Sequence, residues 1–233
     1  MKTCIFYHCL LRMGDPPVLL PGACDIVREQ MAHLEASGLL DACEEFIVGL
    51  NDNEEGLELA NLFIPAKSKI ILNGLASHSE NLTIVTIEQW AQTHPGWAVL
   101  YFHSKGASRD DDEYARKIGK PWRDMMMQDT VLAWQHCVGF LQSGTELVCS
   151  RFMTGMVDGT QNIVPGNFWW ARSSFLATLP SIRNRARIKI SGIGAPESRW
   201  EAEVWVGNGP RLPSVIQFRP HWDPRQPHGM ITA

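Results

Sequence analysis

The chain has 233 residues, 45% of them hydrophobic, which is enough for one large core and favours one domain over residues 1–233 rather than two independent units. A formal net charge of −4 and a pI near 6.1 exclude a general nucleic-acid binder. The six cysteines include no C-x-x-C pair, which argues against a zinc site or disulfide framework, and no apolar stretch approaches the ~18 residues of a transmembrane segment.

Met1 and Lys2 lead directly into an apolar run over residues 3–10, read as a buried first strand with His8 near its exit. That start is too short for a signal peptide, and with the cysteine usage it sets the expectation of a cytoplasmic protein. Gly14, Pro16, Pro17, Pro21 and Gly22 mark a loop; from Asp25, apolar residues at Ile26, Met31, Leu34, Leu39 and Leu40 predict a helix. Phe46 to Leu50 is a second strand ending at Asn51, and residues 54–63 carry a short helical pattern closed by Pro65. Lys69 to Leu72 is a third strand, Ile84 to Thr93 a helix, and Ala98 to Phe102 a fourth strand. Strand and helix therefore alternate through the first hundred residues, which predicts an α/β fold with a mostly parallel twisted sheet flanked by helices.

Arg109 to Lys120 is strongly charged and reads as an exposed loop or helix, with Pro121 opening one long helix to Leu141. Met125 and Met126 fit core packing there. Glu146 to Cys149 is a short strand, residues 153–163 a Gly/Thr/Asn-rich loop, and Asn167 to Leu179 begins extended and turns helical. A basic stretch over 181–195 precedes a helix over 197–206, and an irregular Pro-rich tail runs from about residue 208.

The fourth strand ends abruptly in His103, Ser104, Lys105 and Gly106, and ligands of α/β sheets bind beyond such carboxyl ends. In extended chain His103 and Lys105 point the same way; Lys105 suits a phosphate oxygen, and Gly106 admits close backbone approach. The acids from Asp110 through Asp112 to Glu113 offer hard oxygen ligands for Mg²⁺ or Mn²⁺, or a solvated face. Glu201 and Glu203 point apart on a helix, so at most one of them faces a site, where it is a candidate general base or, alternatively, a salt-bridge partner of a nearby arginine. Gly166 and Asn167 offer a turn and an amide to a polar ligand. Trp169 and Trp170, on alternating faces, read as one core ring and one flat wall beside that ligand.

Tyr101–Gly106, Pro121–Arg123, Gly166–Ala171 and the Arg199, Glu203, Trp205 spacing together resemble glycosyltransferase-like proteins of the GT-A class, found in polysaccharide contexts. The resemblance spans most of the chain, and its most specific part is Gly166-Asn-Phe-Trp-Trp-Ala171. It implies a GT-A-like domain that binds a nucleotide-sugar donor at the strand ends, through His8, Asn51, His103, Ser104, Lys105 and Gly106. The sugar would pass to a glycan or other hydroxyl acceptor held by Gly166, Asn167, Trp169 and Trp170, with Glu203 as the base. One departure matters. Where such enzymes carry Asp-x-Asp for a divalent metal, this chain reads His103-Ser-Lys105. Either Lys105 neutralises the diphosphate directly, or a metal (Mn²⁺ or Mg²⁺) is held by His103, Asp110 or Asp112. The competing reading is a non-catalytic carbohydrate- or nucleotide-binding module that keeps the fold. A phosphotransferase is disfavoured because no G-x-x-x-x-G-K-[ST] loop is present.

Overall fold

The four apolar runs of the first hundred residues become the parallel half of one sheet. The computed structural model describes residues 1–74, 80–107, 113–157, 161–184 and 198–221. In chain order the first half comprises β1 (Thr3–Cys9), a small hairpin β2 (Arg12–Met13) and β3 (Val18–Leu19), α1 (Ala23–Ala36), α2 (Leu39–Ala42), β4 (Glu45–Leu50), α3 (Glu54–Ala60), β5 (Lys69–Leu72), α4 (Asn81–Thr93) and β6 (Ala98–His103). The second half holds α5 (Glu113–Met127), a π-helical turn Gln128–Leu132, α6 (Trp134–Gln142), β7 (Leu147–Cys149), β8 (Met153–Val157), β9 (Gln161–Ile163), β10 (Trp169–Arg172), α7 (Ser173–Leu176), α8 (Ser198–Trp205) and β11 (Val215–Gln217).

The seven-stranded sheet has the order β11-β7-β10-β6-β1-β4-β5. Its neighbours pair in parallel except at β10, which runs antiparallel to both β6 and β7. The two faces of the sheet carry separate cores, because strand side chains alternate. On one face Ile5, Tyr7, Val48, Leu100, Phe102 and Trp170 pack with residues of α1, α5 and α6. On the other, Phe6, Val99, Tyr101 and Trp169 meet α4, α7 and α8. Each large side chain so buried contributes roughly 1.5–3 kcal/mol, and coverage on both sides explains why β1 is buried at every position.

Three expectations need correction. Pro121 lies inside α5, eight residues beyond its start, and the predicted long helix is broken by the π-turn after Met127. Tertiary contacts hold the helix on both sides of the proline: Lys120 pairs with Glu29 of α1 at 2.6 Å, and Arg123 with the same carboxylate at 3.2 Å. Residues 153–163 include the hairpin β8–β9 rather than loop alone, tied to the end of α8 by Asn162 Nδ2 donating to Gly207 O at 2.9 Å. The tail from about 208 is not wholly irregular, because β-branched Val215 and Ile216 add β11 beside β7. All six cysteines are free thiols. Among the described residues, no helix is long and apolar enough to cross a membrane.

Candidate functional site

β1, β4 and β6 end at one edge of the sheet, and the reversed β10 begins there. His8 therefore stands beside Gly49 on one side and His103 on the other. Gly49 allows α4 to sit close: a Cβ there would lie 2.1 Å from Thr83 Oγ1. With that space open, Thr83 Oγ1 reaches His8 Nδ1 at 2.9 Å and accepts from Asn73 Nδ2 at 3.3 Å. Asn73 Nδ2 also donates to Asn51 Oδ1 at 3.0 Å, so the exits of β1, β4 and β5 share one polar chain. Burial pushes the His8 imidazole down to about 4, with the charge of His103 acting in the same direction and Glu80 opposing. His8 is thus neutral at physiological pH.

Glu80, which no local sequence pattern marks, organises the centre of this edge. Its Oε1 lies 3.0 Å from His103 Nδ1, and its Oε2 accepts from Tyr101 OH and Asn167 Nδ2, both at 2.7 Å. Burial alone would raise this carboxyl, but the charge and hydrogen bond of His103, with His8 and the Tyr101 hydroxyl, hold it well below the usual carboxylate range. Tyr101 is pushed well up by burial and by Glu80, and stays a neutral donor. His103 Nε2 lies 3.0 Å from Gly166 O, so both ring nitrogens face acceptors. Both bonds form together only when the ring carries both protons. Glu80 and His103 are then a partly buried ion pair, their side chains 15% and 12% exposed.

The loop before β10 is built for this contact. Asn167 N donates to Val164 O at 3.0 Å, closing a turn with Pro165 second and Gly166 third, and Gly166 has φ +83°. Asn167 is itself left-handed at φ 56°, a conformation that an L residue other than Asn seldom adopts. Both ends of its side-chain amide are used, Nδ2 by Glu80 and Oδ1 by Trp169 Nε1 at 2.8 Å. Glu203 of α8 comes to the same loop: Gly166 N donates to its Oε2 at 3.3 Å, and Val164 N to its backbone O at 3.0 Å. Glu201 turns away to Asn81 Nδ2 at 2.7 Å, as the helical spacing predicts.

His103 and Lys105 do not share a side. The strand ends at His103, and Lys105 N donates back to His103 O at 2.7 Å, so the extended alternation stops there. Lys105 is 6% exposed, its ammonium 4.1 Å from the centroid of the Trp122 ring on α5. Ser104 Oγ accepts from Leu10 N at 2.9 Å and so joins the exits of β1 and β6. Gly106, at φ +94°, passes close to Arg123, whose Nη1 donates to Lys105 O at 3.0 Å.

Trp169 and Trp170 face opposite sides as expected, yet both rings are fully buried. Neither forms an open wall, because α7 and α8 cover one side and α5 and α6 the other. The Trp170 indole N–H donates to Thr130 O at 2.8 Å, within the π-turn. The described residues do not fit a divalent metal either. No group of three His, Cys, Asp or Glu side chains among them is arranged to hold one, and the two nitrogens of His103 are both directed at oxygen acceptors. Asp110 and Asp112 lie outside the described residues.

No curated protein matches the chain. Among solved structures, a 4-diphosphocytidyl-2C-methyl-D-erythritol synthase aligns at 6% identity, covering 76% of this chain and 77% of its own, with a TM-score of 0.37. The synthase of the same name from Anaerococcus prevotii DSM 20548 aligns at 9% identity over 82% and 78%, with a TM-score of 0.42. A CMP:2-keto-3-deoxy-manno-octonic acid synthetase complexed with CTP aligns at 12% over 77% and 79%, with a TM-score of 0.35. Likenesses this distant say nothing about activity. A family model matches residues 6–191, most of the chain including β1, β6 and β10, and the protein therefore belongs to the family described as Domain of unknown function (DUF8361).

Proposed function

We propose that this protein is a glycosyltransferase, moving a sugar from a nucleotide-diphosphate-sugar donor to a hydroxyl acceptor in polysaccharide or glycoconjugate synthesis. One observation carries the reading: the buried carboxylate of Glu203 meets the Gly166–Asn167 turn beside the exits of β1, β4 and β6. Glu80, the other carboxylate at this loop, is held well below the usual carboxylate range and is a poor proton acceptor. Glu203 is the base in this scheme. It takes the proton of the acceptor hydroxyl as that oxygen attacks the anomeric carbon, and the bond to the nucleoside diphosphate breaks with its electron pair leaving on phosphate oxygen. Direct displacement of this kind inverts the anomeric carbon. Lys105 exchanges the face of Trp122 for a diphosphate oxygen, supplying the positive charge that a metal would otherwise bring.

A non-catalytic carbohydrate- or nucleotide-binding module is favoured by a different observation, the engagement of both His103 nitrogens and the burial of both tryptophans. A panel of nucleotide-sugars separates the two readings, using thermal unfolding with and without Mn²⁺ followed by product analysis. A donor at ~100 times its dissociation constant should add about 2.7 kcal/mol. Glu203→Gln should keep donor binding and lower turnover by roughly 10²–10⁴. Lys105→Met should weaken donor binding by about 1.5–3 kcal/mol. Binding without turnover selects the module, and no stabilisation by any nucleotide-sugar rejects the transferase.

A further inference from the structure

The carboxyl end of β7 holds buried polar groups that the site above does not use. Arg151, partly buried, has Nε and Nη1 shut from solvent with no hydrogen-bond partner among the described residues. Its neighbour Ser150 is 3% exposed, and its Oγ is equally buried and unpartnered. On β9, Gln161 Oε1 is in the same condition. A buried donor without an acceptor is costly, and native chains seldom keep one. Here one short exit carries several.

Among the described residues, Nε and Nη1 of Arg151 meet no carboxylate. Arg219 N donates to Ser150 O at 2.7 Å, which brings a second arginine to the same exit. That guanidinium is held by Asp129 at 3.1–3.3 Å, so the buried carboxylate here is already engaged. Register fixes the place of the exit. Trp169 of β10 pairs with Tyr101 of β6 on one side and Cys149 of β7 on the other. β6 and β7 run the same way, so Ser150 and Arg151 leave the sheet at the level of Phe102 and His103, two strands or about 10 Å across.

We propose that Ser150 and Arg151 form an oxyanion-binding site for a phosphoryl or carboxylate group of a substrate. The guanidinium offers unanswered N–H donors at Nε and Nη1 to the oxygens of an anion, and the serine hydroxyl adds a third. Anion binding here requires no sugar transfer, so the inference stands or falls apart from the role given to Glu203.

The test is thermal unfolding of the full chain in chloride, inorganic phosphate or succinate at constant ionic strength, followed by titration of the anion that acts. Phosphate or succinate should raise the melting temperature above that in chloride, and the anion that does so identifies the phosphoryl or the carboxylate source. Arg151→Met should abolish this gain, weakening binding by roughly 10- to 100-fold. In chloride the same variant should melt at or above the wild-type temperature, because an unanswered charge gives way to an apolar stem. Ser150→Ala should weaken binding by a smaller factor. The proposal is overturned if neither anion shifts the melting temperature, or if the shift survives in Arg151→Met. It is equally overturned if that variant melts several degrees lower in chloride, which would make Arg151 a structural residue.

Discussion

Glu80→Gln is the sharpest perturbation of the strand-end network. The carboxylate faces three donors at 2.7–3.0 Å, from Tyr101, Asn167 and the His103 ring. A glutamine of the same shape accepts from some of them, turns its own N–H₂ toward another, and leaves the His103 ring without its carboxylate partner. Removing one partner of a buried pair typically costs ~3–5 kcal/mol, and the 15% exposure of this side chain places the loss near the lower end, about 3 kcal/mol. For a chain of this size that corresponds to a fall of roughly 6–12 °C in melting temperature. The pH dependence carries a sign. The folded carboxyl is depressed, so its contribution is complete above the unfolded value near ~4.3 and is lost as pH falls below it. Wild type and variant should therefore differ fully at pH 7 and converge in acid, by calorimetry or by urea unfolding. Adding His103→Gln should recover part of the loss, because the ring left without its partner is gone. A deficit under ~1 kcal/mol, or a gap of constant size from pH 7 to pH 3, would refute the buried pair.

Other expectations follow from the same geometry. His8 titrates near 4 in the native state against about 6.5 unfolded, so the unfolded chain takes up a proton that the native one refuses. Its stabilisation is complete above the unfolded value and lost as pH falls toward the folded one; urea unfolding at pH 7.5 and 5 should differ by about 2 kcal/mol from this source, and His8→Gln should flatten the difference. Trp169→Ala and Trp170→Ala should each cost about 3–5 kcal/mol, read as melting temperature, since both rings are fully buried; one unaffected variant would contradict the packing. Gly166→Ala should cost about 1–3 kcal/mol in unfolding experiments, because φ is +83° and the new methyl carbon would approach Met126 Sδ to 2.5 Å. Wild-type stability in that variant would mean the turn relaxes freely.

The parallel half of the sheet was legible because its strands are continuous apolar runs bounded by turn residues, and Lys69–Leu72 agrees to the residue. The polar exits at His8, Asn51 and His103 were legible for the same reason, and so was the divergence of Glu201 from Glu203. Glu80 was not. Tyr101 is 21 residues away and Asn167 is 87, so nothing near Glu80 in sequence signals its role. The π-turn is equally silent, being registered only where Trp170 meets the carbonyl of Thr130, 40 residues distant. Lys105 was misdirected by assuming that extended geometry continues past His103, whereas one backbone hydrogen bond turns the chain. The tryptophans were misread because alternation assigns faces and says nothing of what covers them.

The reversal of β10 has a consequence for the order in which this molecule comes apart. β5, β4, β1 and β6 come from the first 103 residues, whereas β10, β7 and β11 come from residues 147–217. The β6–β10 ladder, running from Trp169 opposite Tyr101 to Arg172 opposite Ala98, is the seam between two sequence-contiguous halves. Glu80 and His103 lie on one side of it and Gly166, Asn167 and Glu203 on the other, so the network is stitched across that seam. A sub-global opening that parts the ladder dismantles the site while each half keeps its own strands paired. Amide exchange at Tyr101 and Trp169 should then report the opening that dismantles this network on warming, ahead of exchange in β1 and β4.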